Sequence, residues 1–202
     1  RGTYWYLLPE YAQARKAMWD AIDEEQGYRR IDLIFPPQIR TLYREQEMIL
    51  GYEGSTFQLV GADNFHSLVG SPPVGLIFSE YSRTAPQAWA YLMPIMEKNG
   101  GWVGFNSTPI GDNHFKTLCE YAKKTPGWHY SEVTADQTTV FTAPQLAAIL
   151  DQLNEEYGEA EGTALFRQEY YCSFDAAVGG SIFAEWIDRA QTHGRILDFP
   201  FT

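Results

Sequence analysis

The sequence predicts an α/β fold, a mainly parallel β-sheet with helices on both faces. Short apolar runs alternate with stretches of helical period, the order expected of a parallel sheet built by crossover helices. The runs at 74–78 and 102–105 are continuous rather than alternating, and each stops abruptly at polar residues. That is how strands buried on both faces end at a sheet edge. Hydrophobic residues at 45% and aromatics at 15% of 202 residues put the chain among globular rather than disordered sequences.

Taken in order, residues 3–8 (TYWYLL) are β-branched, aromatic and aliphatic, and Pro9 ends this first strand. Ala14, Ala17, Met18, Ala21 and Ile22 fall at three- and four-residue spacings, which predicts a helix over 12–24, stopped by Gly27. Pro36-Pro37 breaks the chain, and 39–49 fits either an irregular helix or a partly paired strand. A turn at 51–55 leads to a strand over 56–60. After the 74–78 strand, Pro86 opens a helix to Glu97 that Asn99-Gly100-Gly101 ends. The 102–105 strand, helices at 112–124, 143–157 and 163–171, and a last strand candidate at 128–133 follow. Beyond Tyr171, CSFDAAVGGSIF has no clear period and reads as a linker.

Several function classes drop out. The apolar runs are far short of the ~18 residues of a membrane span. Cys119 and Cys172 form no CxxC, and His66, His114, His129 and His193 lack metal-ligand spacing, which points to reduced thiols in a cytoplasmic protein. No carboxylate cluster has two-metal nuclease spacing; Asp175 reads as linker and Asp198 as a solvated charge. A net charge of −11 argues against a general nucleic-acid binder, so any DNA contact needs a local patch.

The chemistry gathers at two strand ends, because ligands of open parallel sheets sit beyond the carboxyl ends of the strands. Leu76-Ile77-Phe78-Ser79-Glu80 places an acid directly after an apolar strand, the layout of the strand-end acid of P-loop ATPases. There a rigidly held carboxylate orients or deprotonates the attacking water. Asn106-Ser107-Thr108-Pro109-Ile110-Gly111 follows the next strand. Pro109 pushes Thr108 to an extended backbone, which would bring its hydroxyl to the mouth of the sheet.

One acidic strand end, a helix, then an S-T-P-x-G strand end is the order of translocating ATPases of the additional-strand type. With Tyr4–Ala14, Val60–Asn64, Gly75–Tyr81, Asn106–His114 and Gln168–Asp175 in sequence, the chain resembles the large terminase subunits of tailed bacteriophages, which power DNA packaging into the capsid. The resemblance implies a RecA-like P-loop NTPase core over 1–171, incomplete at its N-terminus, and a linker over 172–202 leading to a nuclease domain. It implies that Glu80 is the catalytic glutamate, with Ser79 beside it, and that Thr108 with Ser107 is the coupling motif. Pro9, Tyr11 and Gln13 match a segment near the nucleotide or the DNA. ATP and Mg²⁺ would serve the complete protein. Double-stranded DNA, a small terminase subunit, a portal protein and a homo-oligomeric ring would be its partners, in the cytoplasm of a bacterial host.

Departures accompany the match. Ser79 stands where many relatives have Asp, so Mg²⁺, which prefers hard oxygen ligands, gains a poorer one. Val69 stands where many have Arg, leaving Arg83, Arg40 or Arg44 to act as an arginine finger, and Ile110 replaces a frequent basic residue. There is no GxxxxGK[ST] in the chain; in the family it would precede Arg1, and the N-terminus is expected to be a cut. A helicase-type ATPase and a degenerate, non-hydrolysing scaffold of the same fold are the alternative readings.

Overall fold

In the structure, a computed structural model that describes residues 1–68, 72–175, 193 and 195, strand β1 (Thr3–Leu8) is flanked on both sides by parallel neighbours. These are β4 (Ser55–Gly61) and β5 (Gly75–Ser79), and β6 (Trp102–Asn106) continues the parallel set beyond β5. On the other side β3 (Ile49–Tyr52) and β2 (Leu42–Arg44) add antiparallel strands, giving the order β2-β3-β4-β1-β5-β6. The mainly parallel sheet is as expected. Residues 39–49, open between helix and strand by sequence, contribute a strand. Glu53 and Gly54, both at positive φ (46° and 77°), make the two-residue turn that joins β3 to β4.

Register assigns the two faces. Leu7 lies beside Phe78, so Leu8 points the other way. On the Leu8 face, Leu50 and Leu59 pack with Met48, with Ala14 and Trp19, and with Ile31 of α2 (Arg30–Ile34). On the Phe78 face lies α3 (Pro86–Asn99), whose Trp89 meets the Phe78 ring edge-on at 6.2 Å. Pro86 sits in the first turn of α3, and Gly100 at φ 60° closes it, as the sequence predicts.

The first helix ends sooner than its periodicity predicts. α1 covers Tyr11–Ala14 and runs on as one wide π turn, Arg15–Trp19, closed by the Asp20 N–H donating to the Arg15 carbonyl. The chain then doubles back, with Ile22 bridging Arg29. The wide turn brings Trp19 fully into the core, while Ile22, read as part of the buried stripe, stays 53% exposed. Trp19 stacks on Tyr43 at 5.5 Å, and its Nε1–H donates to Glu45 at 2.7 Å.

Two compact units are present, Arg1–Ser107 and Thr108–Thr202. Among its described residues the second is helical. Asn113 caps α4 (His114–Lys124) by accepting the Phe115 N–H. A Thr142/Gln145 capping box opens α5 (Ala143–Tyr157), which packs on α6 (Glu159–Tyr171). The strand expected at 128–133 does not form. No strand of this unit is there to pair with it among the described residues, and side chains hold the segment instead. Lys123 sits over the Tyr130 ring at 4.7 Å, and Cys172 Sγ donates to the Val133 carbonyl at 3.4 Å. Most of the expected linker over 172–202 lies outside the described residues. No helix among the described residues is long and apolar enough to cross a membrane.

A polar network ties the β2–β3 hairpin to α1 and α2. Glu45 accepts from Trp19 and Tyr43 and pairs with Arg15 at 3.8 Å and Arg29 at 3.6 Å. Asp32 pairs with Arg29 at 2.9 Å and with Arg40. Partial burial pushes the Asp32 carboxyl up, but hydrogen bonds from Arg29 and Arg40 outweigh it and hold it below the usual carboxylate range. A depressed folded-state value means stability that is present above the unfolded value of about 3.9 and lost as pH falls through the folded one. Asp32→Asn is therefore expected to lower the melting temperature at pH 7, leaving Arg40 poorly paired. The gap from the parent chain should shrink as pH drops below ~4. Thermal melts at several pH values check this, and an undiminished gap in acid would contradict it.

Candidate active site

Because four strands run parallel, their carboxyl ends share one edge of the sheet. The register is nearly level there: Leu8 lies beside Gly61, Leu7 beside Phe78 and Ser79 beside Asn106. Pro9, Ala62, Glu80 and Ser107 are the residues that leave this edge, all within the first unit.

Glu80 departs from β5 in an unusual way. Its backbone is left-handed, φ 57° and ψ 44°, a region that costs a non-glycine residue about 1–2 kcal/mol. The chain turns at once into a short 3-10 turn, Tyr81–Arg83, with the Arg83 N–H donating to the Glu80 carbonyl at 2.9 Å. The carboxylate remains 37% exposed and lies 3.9 Å from the Arg83 guanidinium. Ser79 is half-buried beside Asn106. From the neighbouring strand, Ser107 Oγ accepts the Ser82 N–H at 3.0 Å, so the end of β6 is tied to the turn that carries Glu80. Thr108, next in the chain, begins the second unit.

An aromatic group underlies this turn. Phe78 and Phe105 stack with centroids 5.2 Å apart and planes 4° from parallel. The buried Tyr81 ring meets Phe78 edge-on at 5.3 Å and Phe105 at 4.7 Å, and Trp89 closes on Phe105 at 5.2 Å. Burial pushes the Tyr81 phenol up to about 12, so it stays neutral at physiological pH. Sequence reasoning missed Tyr81, Trp89 and Phe105 as parts of the site. The available signal was one aromatic directly before each polar strand end, Phe78-Ser79 and Phe105-Asn106.

The remaining candidates separate. Arg83 stands beside Glu80, 60% exposed. Arg40 is taken up inside the network by Asp32 and the Phe35 carbonyl, and Arg44 is exposed on β2, the far edge of the sheet. Pro9 is half-buried at the end of β1 and Gln13 half-buried in α1. The Tyr11 phenol points to the hairpin, donating to the Gln46 carbonyl. Among the described residues no three His, Cys, Asp or Glu gather in a way that could hold a metal ion. Asp175 is exposed, and Val69 and Asp198 lie outside the described residues.

Solved structures share this architecture. Over 86% of the chain and 77% of its own length, a mutant form of the Thermus phage P74-26 large terminase ATPase domain superposes with a TM-score of 0.60 at 18% identity. The chain has the fold of a phage large-terminase ATPase domain. The unsubstituted Thermus phage domain gives a TM-score of 0.55 at 18% identity over 86% of this chain and 76% of that one. A large terminase from a thermophilic bacteriophage, in complex with ATP-γ-S, gives 0.58 at 12% identity over 87% of this chain. The chain spans about 40% of that protein's length. No protein-family model and no curated protein matches the sequence.

Within this terminase fold, Gly61 sets how closely α1 approaches the sheet edge. A Cβ there would stand 2.3 Å from the Tyr11 amide nitrogen and 2.2 Å from an Asp63 carboxylate oxygen. The backbone of Tyr11 cannot yield without lifting the start of α1. Gly61→Ala is expected to destabilise the chain by ~1–3 kcal/mol, the usual range for overpacking, as read by denaturant titration. An unchanged midpoint would mean that α1 is not seated against β4 as described.

Proposed function

We propose that this chain is the central part of the ATPase core of a DNA-packaging motor, in which Glu80 activates water for ATP hydrolysis. The single observation that carries the reading is Glu80: a carboxylate fixed by a left-handed turn at the end of a buried parallel strand, on the edge where such sheets act. A carboxylate so held can accept a proton from water or orient it, and positioning of this kind supplies most of phosphoryl-transfer catalysis.

ATP and Mg²⁺ fit the residues present only in part. The edge offers the Glu80 carboxylate and the hydroxyls of Ser79 and Ser107, enough to orient water and to bond a cation's hydration shell. It offers no glycine-rich nest and no phosphate-binding lysine. When bound, Mg²⁺ would neutralise charge on the phosphates. Support for a loop supplied by another segment comes from β6. Among the described residues no strand pairs with its outer edge. An apolar strand left open in this way calls for a partner. A parallel strand seated there would deliver its carboxyl-end loop beside Ser107 and one strand from Glu80.

On the terminase reading, Thr108 with Ser107 couples hydrolysis to movement and Arg83 is the candidate to complete the site. Duplex DNA, a small terminase subunit, a portal and a ring of copies are the partners, in the cytoplasm of a bacterial host. With its −11 net charge the chain alone should bind duplex DNA weakly at physiological salt, since phosphate contacts supply most non-specific affinity.

The chain alone is expected neither to hold ATP tightly nor to hydrolyse it. In the complete protein, Glu80→Gln should retain ATP affinity by calorimetry and lower DNA-stimulated phosphate release ~10²–10⁴-fold, the usual contribution of a general base. Unchanged turnover would remove Glu80 from the mechanism, whereas no phosphate release from the complete protein with Glu80 intact would favour a non-hydrolysing scaffold.

A further inference from the structure

We propose that Tyr81 is the positioning residue of this strand end, its buried ring acting as the wedge that holds Glu80 in the left-handed backbone and keeps its carboxylate at the sheet edge. The kinetic part of this proposal rests on the ATPase reading of Glu80; the conformational part does not.

Side chains along a strand alternate between its two faces. In an extended chain residues 78 and 80 would share a face and residue 81 would lie on the opposite one. Here Tyr81 instead joins Phe78, edge-on at 5.3 Å, and also meets Phe105 at 4.7 Å, with only 3% of its surface exposed. To return residue 81 to the side of residue 78 across only Ser79 and Glu80, the chain must reverse sharply. A left-handed residue at position 80 does so in one step. Burial of a tyrosine ring is worth more than the strain of one left-handed residue. The aromatic contact therefore sets the backbone, and not the reverse. The Ser82 N–H bond to Ser107 Oγ at 3.0 Å holds the next residue of the same turn to β6. With Tyr81 turned under, the side chain left pointing outward is Glu80.

A structural readout and a kinetic one test this separately. At most positions glycine is less favourable than alanine, because it loses more chain entropy on folding. At a left-handed position the order inverts. In this chain Glu80→Gly is expected to melt above Glu80→Ala by about 2–4 °C. In a Tyr81→Ala background, or in Tyr81→Leu where the alanine variant does not fold, the order should revert, because the ring that forces the left-handed turn is then gone and the backbone bonds of the turn alone do not impose it. Tyr81→Phe should preserve the inversion. Glycine melting below alanine in the otherwise unaltered chain would overturn the wedge. So would an inversion that survives loss of the ring.

In the complete ATPase, Tyr81→Leu should lower kcat ~10²-fold, the cost of misplacing a reacting group by about 1 Å, with KM for ATP unchanged and the rate restored in Tyr81→Phe. In a Glu80→Gln background it should produce no further fall, since a residue acting through Glu80 has nothing left to position. An equal fall in both backgrounds, or a fall in Tyr81→Phe, would overturn the positioning role. Full turnover in Glu80→Gln by itself would remove Glu80 from the mechanism while leaving the thermal result to judge the wedge.

Discussion

Parallel pairing in nearly level register is the constraint on which the rest of this structure depends. Strands β4, β1, β5 and β6 point the same way, so whatever follows each of them emerges at one edge. An antiparallel neighbour would send every second end to the far side. Parallel pairing also demands crossovers that cover the sheet. α1 and α2 do so over the Leu8 face, and α3 over the Phe78 face. The apolar content of the strands and the polar residues at the ends of β5 and β6 thus have one cause. The strands are buried because helices flank them, and the first unburied position after each strand is where a polar side chain can work.

The edge is built from contacts of two kinds. Backbone pairing fixes where β5 and β6 stop, and aromatic packing fixes how the chain leaves β5. Phe78 and Phe105 stack because register sets them side by side, and Tyr81 closes on both. The strain at Glu80 is small beside the apolar surface buried beneath it, so the turn persists. Strain of this kind persists where the surrounding packing over-determines the backbone. The hairpin at the other end of the sheet solves a different problem. Glu45 and Asp32 gather cations, a phenol and an indole N–H around β2 and β3, and that network engages Arg40.

Local signals and long-range packing divide the legibility of this chain. β1, β5, β6, α3 and α5 follow from apolar runs, prolines and glycines that act within a few residues, and they stand where the sequence places them. The first helix does not run to Glu24, because Trp19 finds Tyr43 and Glu45, partners more than twenty residues away that no helical period encodes. Residues 128–133 have strand composition but no strand to pair with in their own unit among the described residues. Strand propensity is satisfied by neighbours more than by the backbone itself.

By itself the sequence determined the sheet's parallel core and the two polar strand ends, Ser79-Glu80 and Asn106-Ser107, because burial and its abrupt loss are written in consecutive residues. Only the tertiary structure decided the left-handed turn at Glu80, the hydrogen bond from the Ser82 N–H to Ser107, and the separation of Arg83 from Arg40 and Arg44. The first two depend on β5 and β6 lying side by side, and the third on which cation meets Asp32. Strand order and side-chain pairing across distant segments are set by the packing of the whole unit, which no local pattern carries.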